Sequence, residues 1–182
     1  RATLAKDAGF IHFLDPRGSV RLLRPQIAAD GVEGEKLRSV MVEWAQLSAK
    51  ATHTYKAELL KAVAESQTTG ETAARVALSV LRPLFIGALS GQDALWGLTR
   101  DEVRDCLKAS TPSILAGAAK AVHLWTTPTD VAPEEAWRKA IKPVFEAVWP
   151  RERRFRHAGL TRDLAAACVD AGQAFPEALD RL

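Results

Sequence analysis

From Glu35 to Glu65 the chain contains no glycine and no proline. Across that stretch apolar side chains return at three- and four-residue steps: Leu37, Val40, Met41, Trp44, Leu47, Ala51, Tyr55, Leu59 and Val63. Such spacing puts them on one face of a helix, whereas a half-buried strand would alternate. The pattern predicts one long helix, or two with a bend near Thr52–Thr54, where polar and β-branched residues lower helix propensity. At a rise of 1.5 Å per residue it would span on the order of 45 Å, long enough to act as the spine of the fold.

The rest of the chain reads as further helices set off by caps and stops. Thr68 and Glu71 have capping-box spacing, and so do Thr99 and Glu102. Thr111-Pro112 and Pro133-Glu134-Glu135 place proline or acids at helix starts. Trp149-Pro150 and Gly172 read as stops, Thr161 as a cap, and Phe175-Pro176-Glu177 as the opening of a last short helix. Pro83 and Pro143 fall inside helical patterns, so each predicts a kink or break that turns Phe85 or Phe145 toward the core. Before residue 34 the turn signals Asp15-Pro16-Arg17-Gly18 and Pro25 interrupt the pattern. There Phe10–Leu14 and Val20–Leu23 could pair as a small β-hairpin. The expected fold class is all-α: an irregular helical bundle or short α-solenoid of about seven helices, with that hairpin near the N-terminus. Residues 1–182 are expected to form one domain, with 1–33 an irregular or hairpin-like lead-in and 34–182 the helical core.

At 182 residues and 47% hydrophobic content, the chain is large enough to bury one core. The longest strongly apolar stretches, such as Val76–Leu81 and Ile114–Leu124, fall short of the roughly 20 residues of a membrane span, so the sequence predicts a soluble chain without membrane partners. Its first residue is Arg1, which suggests a processed chain or part of something longer. Cys106 and Cys168 are too few for a disulfide framework and sit in apolar helical stretches. They are expected as small buried hydrophobes in a cytoplasmic protein.

Catalytic and cofactor signatures are missing. His12, His53, His123 and His157 lie far apart, with no zinc spacing, so no metal site is expected. No phosphate-binding glycine loop and no GxSxG elbow occurs, which argues against a nucleotide cofactor or a serine hydrolase. An enzyme would have to unite distant groups such as His53, His123 and Asp163.

The sharpest local feature is charge. Between residues 138 and 162, Arg138, Lys139, Lys142, Arg151, Arg153, Arg154, Arg156 and Arg162 face only Glu146 and Glu152, a net +6 in a chain whose total is +3. Within that stretch Trp149 and Phe155 interleave with Arg151, Arg153, Arg154, Arg156 and His157. Arginine beside aromatic rings suits phosphate contact with base stacking, or a protein partner. Trp149, Arg151, Arg153, Arg154, Arg156 and His157 are therefore the candidate partner or polyanion contacts.

Three runs in the C-terminal part, Val148-Trp149-Pro150-Arg151-Glu152, Leu160-Thr161-Arg162-Asp163-Leu164-Ala165 and Gly172-Gln173-Ala174-Phe175-Pro176-Glu177-Ala178, carry a resemblance. Residues 148–178 resemble helical C-terminal regions of large bacterial proteins encoded in anti-phage defence islands. The resemblance implies a helical accessory or regulatory portion of an antiviral assembly, whose enzymatic partner lies elsewhere. The expected function is a protein–protein interaction or regulatory module in a larger bacterial assembly. The alternative is nucleic-acid binding through Arg151–Arg156.

Overall fold

A computed structural model describes residues 2–44, 47–126, 131–150 and 158–179. Among them the fold is all-α, and no strand is present. Four short helices open it: α1 (Ala2–Lys6), α2 (Ala8–Leu14), α3 (Pro16–Leu22) and α4 (Arg24–Ala28). They are followed by α5 (Val32–Trp44), α6 (Ala49–Thr54), α7 (Lys56–Glu65) and α8 (Gly70–Ser90). A 3₁₀ turn (Asp93–Trp96) leads to α9 (Arg100–Ala109), α10 (Pro112–Trp125) and α11 (Pro133–Ala136). A π-type turn (Trp137–Ile141) joins α11 to α12 (Lys142–Val148), and α13 (Ala158–Asp170), a second 3₁₀ turn (Gly172–Ala174) and α14 (Phe175–Leu179) complete the fold.

The expected hairpin is not formed, because its two runs lie in α2 and α3. The Asp-Pro-Arg-Gly signal that suggested a β-turn starts a helix instead: Asp15 caps α3 by accepting a hydrogen bond from the Gly18 N–H at 2.9 Å, and Pro16 stands at N1. The buried positions here are Ala5, Ala8, Gly9, His12, Ser19, Leu23 and Ile27, a helical rather than an alternating series. The lead-in is thus four regular short helices, and the fold has more and shorter helices than about seven.

Nor is the expected spine a single helix: it breaks at Tyr55, beside the bend expected near Thr52–Thr54, and once more before α6. It is divided into α5, α6 and α7, with Ser48 capping α6 through the Ala51 N–H and fully buried Tyr55 at the junction with α7. The central position belongs to α8, which packs against α5, α7, α10 and the π-type turn, while α10 also contacts α13. Gly117 lets α10 approach the α8 backbone so closely that a Cβ there would stand 2.4 Å from the Ala73 carbonyl carbon. Buried side chains from Ala5 to Ala178 form one hydrophobic cluster.

By length and composition α8, 21 residues with a mean hydropathy of 1.4, could cross a membrane. The apolar stretch Val76–Leu81 is only the middle of this helix, which also contains Arg75 and Arg82. Over the helix's membrane-length stretch 56% is buried inside the fold, so much of its apolar surface is already used by the core.

Pro83 does not break α8, which continues as one helix to the left-handed Gly91 at its C-cap. Phe85 is fully buried and rests on Trp125, with ring centroids 5.4 Å apart. Before Pro143 the widened π-type turn makes room for the ring, a usual resolution of proline's clash with the preceding turn. Phe145 is only half-buried. The Thr99–Glu102 capping box is present in full, but α8 starts from Thr69 with no side-chain cap, and Thr68 bonds to Ser66 instead. Thr161 lies inside α13, which begins at Ala158.

Candidate functional site

In a surface helix the large apolar side chains normally face the core. Helix α2 reverses this. It buries Ala8, Gly9 and His12, while Phe10, Phe13 and Leu14 stand 63%, 76% and 64% exposed. Positions 10, 13 and 14 are related by three- and four-residue steps, so the two rings and the leucine share one face. Leu4 on α1 and Leu22 on α3 are also exposed. Charged Lys6, Asp7, Asp15, Arg17 and Arg21 are interspersed along the same three helices.

A buried polar chain holds α2 in this orientation. Ser19 Oγ lies 3.0 Å from His12 Nδ1 and 2.5 Å from Tyr55 Oη, so the hydroxyl bridges imidazole and phenol. The His12 and Tyr55 rings meet edge to face at 5.7 Å. Burial, and then the positive charge of Lys50, push the His12 pKa below the ordinary imidazole value. Burial likewise raises the Tyr55 phenol, outweighing the opposing Ser19 hydrogen bond. The serine–histidine pair superficially resembles an activated nucleophile, but Ser19 is 1% exposed and His12 2%. Its chemistry here is orientation: with His12 fastened inward, the opposite face of α2 must turn outward.

Arg38 anchors the neighbouring helix end. Its Nη1 donates to the Ile27 and Ala29 carbonyls, both at 2.9 Å, satisfying the carboxyl end of α4, and its Nη2 pairs with Glu65 at 3.2 Å. Gly34 admits the Ala29 carbonyl into this corner, since a Cβ there would meet that oxygen. Nearby Glu58, almost fully buried, accepts a hydrogen bond from Arg24 Nε at 2.8 Å.

Of the contacts proposed from sequence, the structure describes only Trp149. Its indole stacks on Phe145 with centroids 4.9 Å apart and is half-buried against the core, so one ring face is committed to packing. Arg151, Arg153, Arg154, Arg156 and His157 lie outside the described residues. Of the groups named as examples for an enzyme, the His53 ring packs over Gly97, and His123 Nε2 pairs with Asp170 Oδ2 at 2.7 Å across α10 and α13. Both cysteines are buried, and burial pushes the Cys106 thiol up to about 12 and raises Cys168. No cluster of metal-ligating side chains occurs among the described residues.

The α2 face is hidden in the sequence because the run that holds its two phenylalanines also suits a strand. Read at helical spacing, Phe10, Phe13 and Leu14 on one side and Ala8 and His12 on the other would have shown it.

No known protein family matches the chain, and no solved structure matches it. It is 27% identical over 183 residues to a protein of Sinorhizobium fredii described as "Uncharacterized protein y4cA". That similarity covers 100% of this chain and 15% of the relative's length.

Proposed function

We propose that this chain is a helical protein–protein interaction module of a larger bacterial protein, docking through the outward face of α2. The observation that carries the reading is the inverted helix: two phenylalanines and a leucine held in solvent by a buried polar anchor on the opposite side. Exposed aromatic side chains clustered on one face, with charged residues beside them, have the composition of an interface centre and its rim. The occupant we assign is an apolar surface elsewhere in the same longer polypeptide, because the similar Sinorhizobium protein is several times the length of the part matched here. The accessory role implied by the resemblance of residues 148–178 fits that arrangement. We read the architecture as an irregular bundle rather than a solenoid, since α8 is surrounded by elements distant in sequence instead of stacking only on its neighbours.

Expressed separately, this chain and the rest of the polypeptide that carries it should co-elute as a complex. Phe10→Asp combined with Phe13→Asp should abolish co-elution while leaving the helical circular dichroism unchanged, because both rings are mostly outside the core. Co-elution that survives in the folded double variant overturns the reading. Self-association of the isolated chain, lost in the same variant, would assign the face to a second copy instead.

A further inference from the structure

We infer that the cleft between α5, α6, α8 and the Asp93–Trp96 turn binds a small organic anion with a flat apolar body, such as an aromatic carboxylate or phosphate monoester. The cleft has a volume of about 300 Å³, near the lower end of small-molecule sites. One side is a single stripe of α8: Arg75, Leu78, Ser79, Arg82 and Pro83, separated by the three- and four-residue steps of one helical face. The opposite side is contributed by Val42, Leu47 and Trp96. Val42, Thr52 and Pro83 are buried, Leu78 and Trp96 half-buried, and the two arginines exposed, giving an apolar interior with a cationic mouth.

Two features favour a ligand over an idle groove. Arg82 is a cation with no hydrogen bond or ion pair to another described residue, and Arg75 stands two turns away on the same stripe. Glu43 is the single acid among the lining residues, and Arg75 acts on Glu71 one turn before it, so Arg82 is the cation that the mouth offers an anion. Proline also changes the wall itself. Pro83 has no N–H, so the Ser79 carbonyl, four residues earlier and on the same stripe, loses its helical donor. The Ser79 hydroxyl cannot compensate, because it donates to the Val76 carbonyl at 2.6 Å. An anion would pair with the guanidinium of Arg82. An aromatic body would lie along Leu78, Leu47 and Trp96, and a hydroxyl or amino donor on that body would meet the Ser79 carbonyl.

The test uses 6-hydroxy-2-naphthoate, which combines a carboxylate, a flat apolar body and a hydroxyl donor, titrated calorimetrically into the whole chain. One equivalent should bind with a dissociation constant below about 1 mM. The uncharged methyl ester, and Arg82→Gln with the acid, should each bind at least tenfold more weakly. Arg21→Gln, a charge removed from α3, and the Phe10→Asp/Phe13→Asp double variant should bind the acid as wild type does, which separates this site from the α2 face. Circular dichroism confirms that each variant is folded. Absence of binding, equal affinity for acid and ester, undiminished affinity in Arg82→Gln, or an equal loss in Arg21→Gln would overturn the assignment.

Discussion

Gly117→Ala sets helix propensity directly against packing. At an exposed helical position, replacing glycine by alanine stabilises by roughly 0.5–1 kcal/mol, because it removes backbone freedom from the unfolded chain. At Gly117 the new Cβ would stand 2.4 Å from the Ala73 carbonyl carbon, 2.5 Å from its oxygen and 2.7 Å from the Ala74 nitrogen. All three are backbone atoms of α8, so no rotamer change relieves the overlap. Ordinary contact begins near 3.4 Å, and α8 and α10 would have to separate by about 1 Å to reach it. That movement loosens Ile114, Ala118 and Ala121, which lie on the α10 face around Gly117, all fully buried. Overpacking of this kind typically costs about 1–3 kcal/mol. With the propensity gain deducted, a net loss of about 1–2 kcal/mol is expected, a sizeable part of the roughly 5–15 kcal/mol that holds a typical domain together. Reversible urea unfolding followed by circular dichroism measures it. A Gly117→Ala protein as stable as wild type, or more stable, would refute the close α8–α10 contact.

Three further outcomes follow from burial. Phe85→Ala should cost about 3–5 kcal/mol in the same unfolding experiment, because the ring is fully buried on Trp125, whereas Phe145→Ala, half-buried, should cost clearly less. Equal losses would contradict the placement of the two rings. Because the folded-state pKa of His12 lies below the ordinary value of 6.5, the unfolded chain takes up a proton that the folded chain resists. Its contribution is therefore fully present above pH 6.5 and declines as pH falls from there toward the lowered folded value. Unfolding free energies measured from pH 7.5 downward should show this slope, and His12→Asn should remove it; an unchanged slope would refute it. Both buried thiols should resist a disulfide-exchange reagent at pH 8 until the protein unfolds, and rapid labelling of the native chain would show that Cys106 or Cys168 is accessible.

Helical patterning in the sequence was informative where local signals act alone. Thr99 and Glu102 satisfy each other's backbone without help from the rest of the fold, and Pro112 and Pro133 begin α10 and α11 as their fixed backbone geometry dictates. Tertiary contacts decided the rest. The apolar period from Leu37 to Val63 is continuous, but Ser48 caps a new helix and Tyr55 turns inward to meet Ser19, a residue 36 positions earlier. Neither partner of that bond predicts the other. The run Phe10-Ile11-His12-Phe13-Leu14 is equally compatible with strand and helix by composition; the contact of His12 with Ser19 favours the helix, and the cap made by Asp15 on Gly18 starts α3 where a β-turn was expected. The α2 surface was therefore hidden behind a wrong period, and the cleft beside Pro83 depends on the packing of α5 on α8 and of α6 on the Asp93–Trp96 turn, which no spacing within one helix encodes.

In the docking we propose, the phenylalanine face of α2 is open in this chain and covered in the longer bacterial polypeptide of which it would be a part. Hydroxyl-radical footprinting read by mass spectrometry compares the two directly, with the chain alone and within the longer polypeptide. Phe10, Phe13 and Leu14 should oxidise rapidly in the isolated chain and be strongly protected in the longer one, while Leu124 and Val169, which are exposed on α10 and α13, should react at the same rate in both. Equal oxidation of Phe10 and Phe13 in the two contexts would contradict the account.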